Sequence, residues 1–145
     1  MQRRDFLRDC GSACALLIGT PLLLTQQGCT SMRVVHALPY DRTLRIPIAD
    51  LAPEDRAIVR CSALPDDLYV IRNAAGEWRA LLMRCTHRDQ PLTAHAGGLT
   101  CSSHGSTFDT DGRALAAPAT AALHRFPIEA DADQVVIDLA RPFTT

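Results

Sequence analysis

Two short stretches of the chain, CTHRDQPL at residues 85–92 and CSSHGSTFD at residues 101–109, each combine one cysteine with one histidine. The histidine follows the cysteine by two positions in the first stretch and by three in the second. Thiolate and neutral imidazole are ligands for zinc, iron and copper. Each stretch can therefore offer a metal centre one sulfur and one nitrogen. The four candidate ligands are Cys85, His87, Cys101 and His104.

The way sulfur and nitrogen are divided between the stretches favours one kind of metal centre. Zinc sites usually pair two cysteines in one arm with two histidines in the other, or use four cysteines. An asymmetric two-iron cluster suits mixed arms, because one iron can take both sulfurs and the other both nitrogens. The alternative is a zinc site made by the same side chains, in a zinc-stabilised binding module without redox activity.

The sequence around these stretches alternates short apolar runs with turn signals, which predicts an all-β fold, either a sandwich or a barrel. Asn73–Gly76 and Asp111-Gly112 are typical turn sequences. A helix is predicted near residues 49–56, with Asp50 as its cap. The predicted strands are residues 45–48, 57–60, 68–73, 78–83, 124–129 and 134–139. In the last of these, Val135, Ile137 and Leu139 fall on one face, which is the period-2 pattern of a strand.

The two stretches resemble the ligand boxes of the Rieske [2Fe–2S] family, and the resemblance runs from about residue 68 to residue 137. It implies an antiparallel β-sandwich of the Rieske type with a two-loop cluster-binding subdomain. It also implies one [2Fe–2S] cluster per chain, with Cys85 and Cys101 on one iron and His87 and His104 on the other.

Several positions depart from the family pattern. Gln90 and Ser103 stand where the quinol-oxidising members carry two further cysteines joined as a disulfide. The two loops are therefore not expected to be linked by a disulfide here. Asp89 stands where glycine is common. Ser106 matches a serine of the family pattern, whose hydroxyl hydrogen-bonds a bridging sulfide in high-potential members. Phe108 replaces a tyrosine that bonds a cysteine sulfur there, so we expect an intermediate potential within the family range of roughly −150 to +300 mV.

The first 36 residues predict a targeting or anchoring segment ahead of a Rieske domain at residues 37–145. Arg3-Arg4 is followed by Phe6-Leu7 and an uncharged stretch at residues 10–25, which resembles a twin-arginine export signal. That route carries folded proteins and so suits a protein that receives a cofactor before export. A retained anchor, a lipid on Cys29 and a cleaved soluble form all remain open.

Composition narrows the choice of partners. The net charge is −1 and all 15 basic residues are arginine, with no basic patch that would favour nucleic acid. Cys61, Trp78 and Phe108 are interpreted as core residues, and His95 as a solvent-exposed loop histidine. Together with the resemblance, these features predict a one-electron carrier in the bacterial periplasm, tethered to the inner membrane. It would be an electron-transfer subunit of a respiratory or other oxidoreductase complex and not catalytic alone. The expected partner is a c-type cytochrome, an oxidoreductase large subunit or a quinol.

Overall fold

The computed structural model describes residues 31–142. Within this range the chain forms twelve strands and one short helix, α1, at Ile48–Leu51. The strands are β1 (Val34–His36), β2 (Thr43–Pro47), β3 (Arg56–Arg60), β4 (Leu68–Arg72), β5 (Trp78–Leu82), β6 (Thr93–His95), β7 (Gly98–Thr100), β8 (Thr107–Phe108), β9 (Ala114–Ala116), β10 (Arg125–Phe126), β11 (Ile128–Ala130) and β12 (Gln134–Asp138). The all-β prediction is confirmed.

A five-stranded sheet in the order β1-β3-β4-β5-β10 forms the centre of the fold. Its pairs are antiparallel except for β1 and β3, which run parallel. Strand β4 is buried on both faces, since successive side chains point to opposite sides of a sheet. Leu68 and Val70 enter one hydrophobic core, whereas Tyr69 and Ile71 enter a second core. The sheet therefore separates two apolar layers.

The first core is closed by a three-stranded sheet in the order β11-β12-β2. Its inward residues alternate along the strands, as in Leu44 and Ile46 of β2 and Val135 and Ile137 of β12, all four of which are fully buried. The period-2 pattern predicted for residues 134–139 is confirmed. This layer lies on the side of the central sheet opposite the second core.

The second core is covered by a four-stranded antiparallel sheet in the order β6-β7-β8-β9. Cys85, Cys101, Leu99 and Phe108 all belong to this core. The predicted core role of Phe108 is confirmed, since 1% of its surface is exposed. The two Cys/His stretches are thereby attached to a rigid β scaffold through buried anchor residues.

Two details of the predicted secondary structure are wrong. Residues 124–129 form two strands, β10 and β11, which belong to different sheets and are separated by Pro127. Proline has no N–H for a strand ladder and favours such a break. The predicted helix shortens to α1, which begins after Pro47 and has no side-chain cap, so Asp50 lies in its first turn and does not cap it.

The predicted export signal, its apolar stretch and Cys29 lie outside the described residues. Between residues 31 and 142, no helix has the length and apolar character needed to cross a membrane. Strand β1 precedes residue 37, the predicted start of the domain, and pairs with the central sheet.

Candidate metal centre

The first Cys/His stretch forms a closed loop directly after β5. Arg84 bridges to Pro91 at the base of the loop. The Cys85 N–H donates to the Gln90 carbonyl at 2.8 Å, and the Asp89 N–H donates to the Cys85 carbonyl at 2.8 Å. Asp89 has a φ of 53°, in the left-handed region. These bonds fix the backbone on both sides of the first candidate ligand pair.

The second stretch forms a matching loop between β7 and β8. The Cys101 N–H donates to the Ser106 carbonyl at 2.8 Å, and the Gly105 N–H donates to the Cys101 carbonyl at 2.9 Å. Gly105 has a φ of 80°, which glycine adopts without a steric penalty. His104 lies in the turn, and its side chain is exposed.

The two thiols meet at the inner side of the site. Cys85 and Cys101 are completely buried and free of disulfide bonds. Burial acts to raise the pKa of the Cys101 thiol, but hydrogen bonds to its sulfur outweigh burial and hold the pKa below its ordinary value. The donors are the backbone N–H groups of His104 and Ser103 and the side chains of Cys85 and Ser103. This environment stabilises the thiolate, the form that binds metals.

The two imidazoles meet at the outer side of the site. The ring centroids of His87 and His104 lie 5.1 Å apart, with the rings nearly perpendicular at 87°. The Nδ1 atom of His87 is buried and has no hydrogen-bond partner. A buried ring nitrogen without a partner is costly unless something binds it. The donor set therefore fits a metal group between the loops, with sulfur below and nitrogen above.

The four candidate ligands form two pairs and do not surround one point. Among residues 31–142 no three His, Cys, Asp or Glu side chains are grouped closely enough to hold a single ion. A two-iron cluster has no need of such a group, since each iron takes two protein ligands.

Ser106 ends the second loop, where its carbonyl accepts from the Cys101 N–H, and it is completely buried. Its Oγ accepts a hydrogen bond from the Ala119 N–H at 3.0 Å, which leaves the hydroxyl proton available for donation. This bond connects Ala119, which follows Pro118, to the second loop.

Four long-range hydrogen bonds were not predicted from the sequence. Tyr69 donates its hydroxyl to the His95 carbonyl at 2.8 Å, and burial is the main reason that its pKa is raised to about 12. Asp111 accepts from Asn73 and Arg79, each at 2.9 Å, so the β8–β9 turn is joined to the central sheet. The hydroxyl of Thr86 donates to the Ala121 carbonyl at 2.7 Å. Each of these contacts joins positions at least 26 residues apart, so no local pattern marks them.

Other side chains behave as the sequence indicates. Cys61 is 5% exposed in the first core, away from the two ligand cysteines. Trp78 packs against the same core. His95 is exposed, as expected, although it lies in β6 and contacts Thr100 through Nε2 at 3.1 Å.

The family of the chain follows from comparison with known proteins. A model of the Rieske [2Fe–2S] domain matches residues 43–127, which is more than half of the sequence. The chain belongs to the Rieske [2Fe–2S] domain family, and that family binds a [2Fe–2S] cluster. This membership favours iron–sulfur over the zinc alternative.

Relatives by sequence come from two kinds of system. The chain is 36% identical over 88 residues to the mitochondrial Rieske subunit of the cytochrome b-c1 complex of Chlorocebus aethiops. It is 39% identical over 61 residues to the 4beta-methylsterol monooxygenase of Methylococcus capsulatus. The matched parts make up 58% and 40% of this chain, respectively, but span only 32% and 16% of those proteins.

Solved structures share the fold. The plasma membrane Rieske protein PetC3 of the cyanobacterium Synechocystis matches with a TM-score of 0.54 and 20% identity, over 63% of this chain and 97% of that one. A chain from the complex of oxygenase and ferredoxin in carbazole 1,9a-dioxygenase matches with a TM-score of 0.56 and 21% identity, over 72% and 99%. The expected Rieske-type architecture is confirmed.

Proposed function

We propose that this protein is a one-electron carrier whose [2Fe–2S] cluster is held by Cys85 and Cys101 on one iron and by His87 and His104 on the other. The observation that carries the proposal is the meeting of two buried free thiols below a pair of imidazoles, one of which has a buried Nδ1 without a partner. When bound, the cluster supplies reversible one-electron oxidation and reduction.

The side of the site that carries the two thiols is shielded from water and supplied with hydrogen-bond donors by the chain's own residues. The apolar side chains of the second core exclude water from the thiols. Backbone N–H groups of Ser103 and His104 bond the Cys101 sulfur, and the same loop carries the buried hydroxyl of Ser106. Such donors stabilise negative charge on sulfur and thereby tune the reduction potential.

The histidine side is the proposed port for electron exchange. His104 is exposed and His87 is partly exposed, so an electron-transfer partner can come within contact of the imidazoles. A c-type cytochrome, the large subunit of an oxidoreductase or a quinol would dock here. The protein would then act as an electron-transfer subunit, with substrate chemistry carried out by its partner. Relatives that belong to a cytochrome b-c1 complex and to an oxygenase–ferredoxin system support this role.

The proposed location is the bacterial periplasm, with attachment to the inner membrane. Support comes from the twin-arginine motif at Arg3-Arg4 and from the likeness to a plasma membrane Rieske protein. Replacing both arginines with lysine tests this location, because twin-arginine signals are recognised through the arginine pair and not through charge alone. Cell fractionation should show the wild-type chain in the periplasmic or membrane fraction and the variant in the cytoplasm. An unchanged distribution would rule out this export route.

The decisive experiment on function is a redox titration of the full chain, followed by electron paramagnetic resonance, alongside assays for iron and labile sulfide. Cys85→Ser and Cys101→Ser should each abolish the cluster signal. Cys61→Ser provides the matched control, because Cys61 is also buried and free but lies in the other core. Wild-type protein that contains neither iron nor labile sulfide would refute the proposal.

A further inference from the structure

We propose that Asp66, in the loop between β3 and β4 at residues 61–67, is a positioning residue for the first ligand loop, which it holds through Arg84. This inference rests on the proposed function, since the position of the loop matters for a cluster that Cys85 and His87 help to hold. It gives Asp66 a part in cluster retention and no part in ligation.

The contact is an ion pair at the base of the first ligand loop. Arg84 immediately precedes Cys85 and bridges to Pro91, where the loop closes. The Nε of Arg84 donates to Oδ2 of Asp66 at 2.5 Å, across 18 residues of sequence. The Asp66 side chain is only 17% exposed and that of Arg84 is 35% exposed. The pair is therefore partly shielded from solvent and is screened less than a fully exposed pair.

The β3–β4 loop gives this contact a fixed base in the first core. Cys61 is 5% exposed in that core, and Leu64 packs against it. The Leu64 N–H also donates to the Cys61 carbonyl at 3.3 Å. Cys85 belongs to the second core, on the other face of the central sheet. The ion pair therefore connects a loop anchored in one core with a ligand loop anchored in the other.

Side-chain packing does not fill the space between these two loops. A cleft of about 230 Å³ lies between them, with Pro65 and Asp66 on one side and Pro91 and Leu92 on the other. Two hydrogen bonds cross from loop to loop: the Asp66–Arg84 bond, and a bond of 2.9 Å from the Met83 N–H to the Asp67 carbonyl. Of these two, the Asp66 bond holds the residue that adjoins Cys85. A ligand site needs its side chains held to within about 0.5 Å, so this bond restrains the backbone that matters.

The neighbouring carboxylate provides a matched control. Asp67 accepts from the Nε and an Nη of Arg60 at 3.1 and 2.8 Å. Arg60 ends β3, so this second ion pair connects the β3–β4 loop to its own strand and not to the ligand loop. Asp66 and Asp67 therefore make the same kind of bond from adjacent positions, to two different parts of the chain.

The test measures cluster release to a chelator, followed by visible absorption, in the full chain. Asp66→Ala removes the acceptor, and Arg84→Met removes the donor but keeps an unbranched apolar stem. Each should speed release roughly fivefold, the ratio expected for a partly shielded ion pair. The double variant should also release roughly fivefold faster, because one bond is lost in all three variants. A wild-type rate in either single variant, or a double variant that reaches the product of about 25-fold, would overturn the inference.

A second readout separates positioning from general stability. In Asp66→Ala the electron paramagnetic resonance spectrum of the reduced cluster should broaden, because the ligands of the first loop take a wider range of positions. Asp67→Ala should keep the wild-type spectrum and the wild-type release rate. A wild-type spectrum in Asp66→Ala, or equal broadening in both variants, would contradict the positioning role.

The outcomes also distinguish this inference from the proposed function. Wild-type protein without iron refutes the function, and the inference falls with it. Wild-type protein that holds its cluster, while Asp66→Ala releases it at the wild-type rate, refutes only the positioning role. If Asp66→Ala takes up no cluster, Asp67→Ala decides: normal uptake there supports a specific role of Asp66, and failed uptake in both variants overturns it.

Discussion

The two ligand loops share one pattern of backbone hydrogen bonds, although their side chains differ. In each loop the cysteine N–H donates to the carbonyl of the fifth following residue, and the cysteine carbonyl accepts from the N–H of the fourth. The fourth residue has a left-handed φ in both loops, 53° at Asp89 and 80° at Gly105. The loops are therefore equivalent in backbone, even though their histidines stand two and three residues after the cysteine.

The difference at the fourth position shows how much side-chain identity the backbone pattern tolerates. Glycine adopts a left-handed φ without a steric penalty. A residue with a Cβ is destabilised in this conformation, and aspartate is among the residues for which the penalty is smallest. The first loop therefore carries backbone strain that the second loop avoids. Substitutions at four positions test this comparison, with expected effects that decrease in the order Gly105, Asp111, Ser106 and Asp89.

Adding a Cβ at Gly105 in the second loop should cause the largest loss of folding stability. At Gly105 a Cβ would meet no atom within 4 Å, so the cost of Gly105→Ala comes from the left-handed backbone alone. We expect a loss of about 1–2 kcal/mol in the free energy of unfolding, measured by denaturant titration. Gly97→Ala, at a neighbouring glycine for which no left-handed φ is found, is the control. Equal losses in both variants would show that the left-handed position is not special.

The β8–β9 turn, which follows the second loop, is attached to the central sheet through Asp111, and this attachment should be sensitive to pH. Hydrogen bonds from Asn73 and from Arg79 lower the pKa of Asp111 below its ordinary value of 3.8. A carboxyl with a lowered folded-state pKa stabilises the fold above that ordinary value and loses this contribution as the pH falls through the folded-state pKa.

Asp111→Ala should therefore lose about 1 kcal/mol of unfolding free energy at neutral pH, and less at low pH. The measurement is denaturant unfolding at a series of pH values. Asp133→Asn, in the exposed β11–β12 turn, is the control. A deficit for Asp111→Ala that stays constant down to low pH would mean that the carboxylate charge contributes nothing.

The fifth position of each loop should affect the reduction potential unequally. Ser106 is completely buried, whereas the equivalent Gln90 is partly exposed and donates its side-chain amide to the Arg88 carbonyl at 3.2 Å. Ser106→Ala should lower the potential by roughly 40 mV, the equivalent of one hydrogen bond of about 1 kcal/mol for a one-electron couple. Gln90→Ala should leave it unchanged. Equal shifts in a redox titration would show that the two positions are alike.

Relieving the backbone strain at Asp89 in the first loop should have the smallest effect on folding stability. Asp89→Gly removes the cost of the left-handed φ but gives the unfolded chain more freedom, so the net gain in unfolding free energy should stay below about 1 kcal/mol. Asp89→Ala keeps the Cβ and should give no gain. Thermal unfolding of both variants checks this, and a loss of stability in Asp89→Gly would mean that the carboxylate makes a contact that outweighs the strain.

Most of the fold was predictable because strand signals are local. Alternation along residues 134–139 and the apolar run at residues 68–73 marked β12 and β4 correctly. Strands β1, β6, β8 and β9 are only two or three residues long and were not predicted, since so short a stretch shows no clear period. The predicted strand at 124–129 was wrong in one respect, because only the surrounding sheets reveal that Pro127 divides it between two of them.

The candidate ligands were predictable from their chemistry, whereas the long-range hydrogen bonds that fix the structure around them were not. Cys85, His87, Cys101 and His104 are recognisable from residue type and spacing, and the structure brings them together as two adjoining pairs, although their ligation remains a prediction. The left-handed position of Asp89 could have been noticed from the family's glycine there. The bonds of Thr86 and Asp111 had no such signal.

The sequence by itself determined which side chains can bind metal, the family to which they point and the alternation that makes each strand. The tertiary structure decided that one central sheet faces two cores, that the two loops have equivalent backbones, and that both loops are hydrogen-bonded to residues 119–121. The physical reason is one of range. Residue chemistry and strand period are carried by neighbouring residues, whereas a bond such as that from Thr86 to Ala121 exists only after 35 residues of chain have folded back on themselves.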